Sequence, residues 1–343
     1  MKLRGEIPDL GPRRILLIQL RRIGDVLLCT PAIRALHEKY PHAQIDFAAE
    51  EPGEEVLRGH PLIRNLWLTP KRGLMDTVSF VRKMRRERYD WVIDFLANPR
   101  SAQMTFFTRA GVRAGLARRG RAWAYNYLLE EEPEDADAYA VDLRLSMLRE
   151  LGIASRSRKL EIYCDLQNEA AQERARETLR SASGVVVAIA AGNANNAKRY
   201  PADLTASVVD LLRAQGMNVV LTSGPGEGEF GEAILKQLKI PVVHMKDARV
   251  VDLTALYRNC ALYVGPDSGP KHIAVACGIP TVTIFGPGRP SNWNDAENPN
   301  NVMLVAPCDK RPHCVEAECA KLGHIKLITP REVLAASLRA LLR

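Results

Sequence analysis

No apolar run in this 343-residue chain is long enough to cross a bilayer. The first ten residues carry Lys2, Arg4, Glu6, Pro8 and Asp9 where a signal peptide needs an unbroken apolar core, so export is not expected. Cysteine is sparse and odd in number. Seven thiols spread along the chain argue against a disulfide framework and suit a reducing cytoplasm. No Walker-type phosphate loop is present, and kinase-like or nicotinamide chemistry is disfavoured. No Asp-x-Asp pair stands at the end of an expected strand, so neither a metal nor a cofactor is expected. No RNA-binding signature accompanies the basic stretches, and nucleic acid is not an expected partner.

What is present belongs to a globular protein: 46% hydrophobic and 26% charged residues. The length exceeds the usual size of a single core, which favours two domains. The net charge of +8 by itself points to an anionic partner, whether nucleic acid, a phosphorylated substrate or an acidic membrane surface, or to a solvated basic face.

Short apolar runs alternate with helical patterns. Residues 14–20 read as a buried parallel strand, followed by a turn with Arg21, Arg22, Gly24 and Asp25, then one helix from Val26 to Tyr40. Strands are expected at 44–49 and 91–96, with a basic helix from Thr77 to Arg88 before the second. Trp91, Phe106, Phe107 and Trp123 are assigned to the core. The alternation resumes beyond an extended stretch at 160–164, with a charged helix at 167–180 and strands at 185–190, 217–222, 262–264 and 281–285. A closing amphipathic helix starts at Pro330. The expected fold is α/β, two doubly wound domains in tandem, with boundaries at 1–165 and 166–343.

Chemistry-bearing residues gather in the turns that follow strands, where open α/β sheets bind ligands. Asp267-Ser268-Gly269-Pro270-Lys271-His272 opens a small-residue helix whose first N–H groups can hold a phosphate. Asp267 or Ser268 either caps that helix or faces a ligand, and His272 either packs or faces the anion. Two cations, Lys198 and Arg199, end the polar loop that begins at Ala191 and includes Asn193. Glu227 and Glu229 lie in a glycine-rich loop where carboxylates can accept hydrogen bonds from ribose hydroxyls or a base. Their convergence on one domain points to a nucleotide pocket. In the first half, Asp25 either caps a helix or serves as a general base.

The stretch from Ile15 to Leu36, with Arg21-Arg22-Ile23-Gly24-Asp25 at its centre, resembles the opening of glycosyltransferase family 9, the ADP-heptose:lipopolysaccharide heptosyltransferases. Residues 267–287 resemble that family's second signature, and Lys198-Arg199-Tyr200-Pro201 its Lys-Arg-Trp-Pro element. Arg88 to Asp94, with Arg100 and Ser101 after it, also fits. The resemblance implies two Rossmann-like domains facing each other across a cleft, the GT-B arrangement. It also implies inverting, metal-independent transfer of heptose from ADP-L-glycero-D-manno-heptose to the inner core of lipopolysaccharide.

By that resemblance Asp25 is the catalytic base. Asn193, Lys198, Glu227, Asp267, Ser268, Gly269 and His272 bind the donor, and Arg22, Arg100 and Arg118 bind a lipid A-core type acceptor. Two positions depart from the family: Lys271 adds a charge where Met or Leu is usual, and Asn193-Ala194 replaces hydroxyl residues. An acyl-anchored acceptor implies a cytoplasmic protein in transient contact with the inner membrane surface, through residues 82–88 and 109–121. The alternatives are transfer of another nucleotide sugar, or a nucleotide-sugar binding protein without catalysis. Cys308, Cys314 and Cys319 with His313 lack a CxxC pair and read as free thiols rather than a zinc site.

Overall fold

The computed structural model describes residues 3–4, 11–70, 74–129, 137–192, 198–286, 288–308 and 323–343. Its contacts divide the chain into two units, Met1–Tyr163 and Cys164–Arg343.

The first unit is built on β1 (Leu3–Arg4), β2 (Arg14–Ile18), β3 (Gln44–Ala49), β4 (Ile63–Leu68), β5 (Trp91–Asp94), β6 (Val112–Leu116) and β7 (Tyr127–Leu129). The sheet order is β1-β7-β6-β5-β2-β3-β4, parallel throughout except for β1, which runs antiparallel along β7. Ile15, Leu16, Leu17 and Ile18 have no exposed surface, because a central parallel strand is covered on both faces and needs an unbroken apolar run. Helices α1 (Ile23–Leu27), α2 (Thr30–Lys39), α3 (Leu74–Arg86), α4 (Pro99–Thr108) and α5 (Ala140–Glu150) complete the unit.

Two expectations are corrected here. The single helix from Val26 to Tyr40 is two, broken at Leu28-Cys29, with Pro31 in the first turn of α2 where its missing N–H costs nothing. Trp91 is buried at 2% exposure, but Phe106, Phe107 and Trp123 are exposed by 41%, 50% and 52%. The buried side of α4 is the stripe Ser101, Ala102, Met104, Thr105 and Thr108, and at about 100° per residue Phe106 and Phe107 fall on the side away from it.

Strand β3 buries a charge. Asp46 has no exposed surface and accepts from Arg64 Nε at 2.9 Å, Arg64 Nη2 at 2.6 Å and the Tyr89 hydroxyl at 2.5 Å. Burial raises its pKa, yet the Arg64 and Tyr89 hydrogen bonds outweigh that and hold the carboxyl below its usual range.

His60 is the opposite case. The residue is 4% exposed and its ring is edge-on to Tyr163, with Nε2 3.4 Å from Glu161 Oε2. Burial outweighs the carboxylate and pulls the imidazole pKa down to about 4. From about pH 6.5 down to 4 the unfolded chain takes up a proton that the folded one refuses, so stability falls with pH through that window and levels off below it. The expected loss is on the order of 3 kcal/mol. Thermal midpoints measured across that range, against His60→Gln, check it; an equal slope in the variant would assign the loss to other groups.

The second unit comprises β8 (Val186–Ala190), β9 (Asn218–Thr222), β10 (Val243–Met245), β11 (Leu262–Pro266), β12 (Thr281–Phe285) and β13 (Asn301–Val305). All are parallel, in the order β10-β9-β8-β11-β12-β13. This is the doubly wound 3-2-1-4-5-6 order, which the six parallel strands of the first unit also follow. Helices α6 (Glu169–Leu179), α7 (Ala202–Ala214), α8 (Gly228–Leu235), α9 (Val250–Tyr257), α10 (Gly269–Ala276), α11 (Pro290–Trp293) and α12 (Pro330–Leu341) surround the sheet. The closing helix α12 buries Val333, Ala336 and Ala340 against α7 and the sheet. No helix among the described residues is long and apolar enough to cross a membrane.

Candidate active site

In the second unit, four loops leave the same edge of the sheet. Strand order reverses between β8 and β11, so the loops after these two strands flank the switch point. After β11, Ser268 is the N-cap of α10 in extended conformation, but its side chain makes no cap bond; Oγ donates to Pro266 O at 3.3 Å. Asp267 Oδ2 accepts from Lys198 Nζ at 3.2 Å, joining the β8 loop to the β11 turn, with both side chains mostly buried. The Ser268 side chain thus does not close the first turn of α10, whose N–H end, at Gly269, follows the residue that holds this cation.

The neighbours of Lys198 take other roles. Arg199 lies over the Phe230 ring at 4.6 Å, and the Tyr200 hydroxyl donates to Ile328 O at 2.6 Å. Of this four-residue element, Lys198 is the one turned to Asp267. Glu227 Oε2 accepts from the Gly224 N–H at 3.0 Å, folding its loop back on itself. A Cβ on Gly192 would stand 2.6 Å from Glu227 Cδ, so the Glu227 carboxylate of the loop after β9 rests where residue 192 has no side chain. Glu229 is exposed on the first turn of α8. Asn193 lies outside the described residues, as do Cys314, Cys319 and His313. Cys308 is half-buried. Among the described residues no cluster of three His, Cys, Asp or Glu side chains can hold a metal ion.

Residues 226–231 spell G-x-G-x-x-G directly after β9, a pattern linked to dinucleotide loops that the reading of the sequence overlooked. Its last two glycines serve packing. A Cβ on Gly228 would meet Lys246 Cε at 2.4 Å, and one on Gly231 would meet His244 Cε1 at 2.6 Å. The loop also follows the second strand of the unit, whereas the dinucleotide fingerprint follows the first.

His272 and Lys271 sit one turn inside α10 and are both buried. His272 packs edge-on to Trp293 at 6.4 Å between ring centroids. Lys271, with 1% exposure, does not add a solvent-side charge at the phosphate turn: Nζ donates to Trp293 O, and burial pulls its pKa down to about 8. The lysine ties α11 to α10.

In the first unit, β2, β3, β5 and β6 send their C-terminal loops to one edge. Asp25 occupies the third position of α1, not its cap. Oδ2 accepts from the Arg22 N–H at 3.3 Å, and Oδ1 lies 3.4 Å from Arg144 Nη2. Arg144, on α5, is buried and also donates to Cys29 Sγ at 3.1 Å and Ala140 O at 2.7 Å. Burial pushes the Cys29 thiol up to about 11, which keeps it neutral. Asp25 thus has one oxygen on backbone and one on a fixed cation, yet its side chain is 25% exposed.

Arg100, at the start of α4, is held by Glu50 Oε1 at 2.5 Å and by Pro70 O; Glu50 Oε2 lies 3.5 Å from Arg21 Nε. Arg22 and Arg118 are exposed, Arg118 just past β6. Asp25 is brought into contact with Arg22 through backbone, and Arg100 with Arg21 through Glu50. Arg118 lies at the same sheet edge, just past β6. Sequence reasoning missed Arg144 and Glu50. Each lies far in sequence from the group it holds, and a lone Arg inside a helix pattern carries no signal of an ion pair 119 residues away.

The model of glycosyltransferase family 9 (heptosyltransferase) matches residues 77–324. The chain is similar to lipopolysaccharide heptosyltransferase 3 of Escherichia coli K12, 26% identical over 291 residues that span 78% of this chain and 80% of that protein. Its fold matches the crystal structure of a family 9 glycosyltransferase from Veillonella parvula, with TM-score 0.85, 22% identity and coverage of 98% and 99% of the two chains. It also matches the ADP-heptose lps heptosyltransferase II of E. coli, with TM-score 0.77, 21% identity and coverage of 96% and 98%. These likenesses run through both Rossmann-like units, the fold known as GT-B. The match to the family model extends from α3 to the residues before α12, so the chain belongs to glycosyltransferase family 9, the heptosyltransferase family, and is a glycosyltransferase.

Proposed function

We propose that the protein transfers heptose from ADP-L-glycero-D-manno-heptose to the inner core of lipopolysaccharide by inverting, metal-independent displacement. The relatives' names supply the donor and acceptor class, and the Lys198–Asp267 pair beside the open end of α10 carries the reading. An acceptor hydroxyl oxygen attacks the anomeric carbon and its proton passes to the Asp25 carboxylate. The bond from that carbon to the β-phosphate oxygen breaks on the opposite face, and ADP leaves with the electron pair. Lys198 and the N–H end of α10 at Ser268–Gly269 stabilise the charge that develops on the phosphate. Asp267 contacts the donor sugar, Glu227 the nucleoside, and His272 completes the donor wall. Asn193 belongs to the same donor loop. Arg22, Arg100 and Arg118 meet the anionic groups of the acceptor.

Assaying ADP release from ADP-heptose against a panel of truncated core acceptors tests this. Turnover with one core acceptor is the expected result. Turnover only with a different nucleotide sugar would reassign the donor, and donor binding without turnover on any acceptor would make the chain a binding protein. Because fixed cations take the place of a metal, turnover is expected to persist in excess EDTA. Loss on chelation with recovery on adding Mg²⁺ or Mn²⁺ would overturn the metal-independent route.

A further inference from the structure

The first unit carries an aromatic cluster on its surface that packing does not explain. Phe106 meets Phe107 at 5.5 Å and Trp123 at 5.1 Å between ring centroids, all edge-on, and the three are between two-fifths and just over half exposed. Phe106 and Phe107 end α4, and Trp123 lies in the single helical turn Ala122–Ala124 that packs on α4. Exposed aromatics gathered at one place mark an interaction surface rather than scattered surface residues.

The charge of the segment that carries them has one sign. Residues 95–129 contain six arginines, no lysine and no acidic residue; the chain turns acidic only at Glu130. Arg109, Arg118 and Arg119 are exposed beside the cluster in sequence. Helix α3, which packs against α4, exposes Arg82, Lys83, Arg85 and Arg86. The indole N–H of Trp123 donates to Gly120 O at 3.1 Å, so this ring can leave water without stranding its donor.

We propose that Phe106, Phe107 and Trp123, with the arginines of 95–129 and the basic side of α3, seat this unit on an anionic lipid bilayer. The proposal deepens the assignment of a lipid-anchored acceptor and rests on it for its purpose, though not for its test. Aromatic side chains favour the headgroup level of a bilayer, and each nearby cation adds attraction at an anionic surface. Two weak signals together give reversible attachment where either alone is marginal. A second copy of the chain is a poor occupant, since two such basic surfaces repel. Single-stranded nucleic acid stacks bases on open ring faces, whereas these rings pack against one another.

The full-length chain should sediment with phosphatidylcholine vesicles containing phosphatidylglycerol, and not with phosphatidylcholine alone. Phe106→Ser/Phe107→Ser/Trp123→Ser should weaken that binding by about tenfold or more, through lost apolar contact, with the arginines intact. Its thermal midpoint and its turnover on a deacylated, water-soluble acceptor should stay as in wild type. Brominated acyl chains should quench Trp emission in wild type and much less in Trp123→Tyr.

Equal vesicle binding by the triple variant, or equal quenching in Trp123→Tyr, overturns the proposal. Full displacement from vesicles by inorganic phosphate, at ionic strength matched with chloride, assigns the arginines to free phosphate groups and overturns it. Dimerisation abolished by the triple substitution assigns the cluster to a second copy, and equally overturns it. Vesicle binding through the cluster in a protein that transfers no heptose leaves the surface standing and removes the proposed function instead.

Discussion

Asp25→Asn is expected to lower turnover by about 10²–10⁴-fold, the usual cost of removing a general base. ADP affinity should stay close to wild type, because no donor residue changes. The substitution is nearly isosteric, and the remaining amide oxygen can still accept from the Arg22 N–H. What it removes is the second oxygen, the one facing Arg144, and the ability to take up a proton. Some stability is therefore lost along with the base. Thermal midpoints separate the two effects: a small shift with a large fall in turnover identifies a catalytic group. Near-normal turnover would restrict Asp25 to closing the first turn of α1.

The side chain's surroundings suit the proposed step. A carboxylate entirely enclosed by donors could not receive a substrate proton, and one free in solvent would not be aimed. Asp25 is held at both oxygens and remains a quarter exposed.

The fold was legible where the physics was local. Central strands β2, β8, β11 and β12 are covered on both faces and so read as apolar runs. Strands β4, β6, β7, β10 and β13 were missed because they are short, near the sheet edge, or carry residues such as Arg64, Asn65, Arg113, Gly115 and His244 within them. The split of the first long helix was hidden because Leu28 and Cys29 continue the apolar pattern while the backbone turns.

For the site, residue types in turns after strands located the loops, but not their pairings. The Lys198–Asp267 contact spans 69 residues, and the Glu227–Gly192 contact depends on a missing side chain. In the sequence Lys271 reads as an added charge beside the helix that the Asp267 turn opens. At two positions past Gly269 its side chain instead points along the buried face of α10 to Trp293. The exposed aromatics were misassigned for a related reason: composition favours aromatics inside, and only the helix phase shows which side of α4 they occupy.

Lys198→Ala should lower kcat/KM by about 10²–10³-fold, the scale on which a preorganised electrostatic contact to a developing charge contributes. Lys198 Nζ donates to Asp267 Oδ2 at 3.2 Å, with 22% and 10% of the two side chains exposed. Removing the lysine deletes the cation that meets the departing diphosphate. It also leaves the Asp267 carboxylate without that partner, facing the anion. Both effects oppose ADP departure more than donor binding, since the leaving oxygen gains charge as the bond breaks. The fall should therefore appear mainly in kcat, with ADP-heptose affinity reduced to a lesser extent. Lys198→Arg keeps the charge but broadens the head group, and should recover part of the loss. Steady-state kinetics with varied ADP-heptose, together with calorimetric ADP binding, separate these contributions. An unchanged kcat/KM in Lys198→Ala would mean that the cation only anchors Asp267, and that the N–H end of α10 stabilises the leaving group without it.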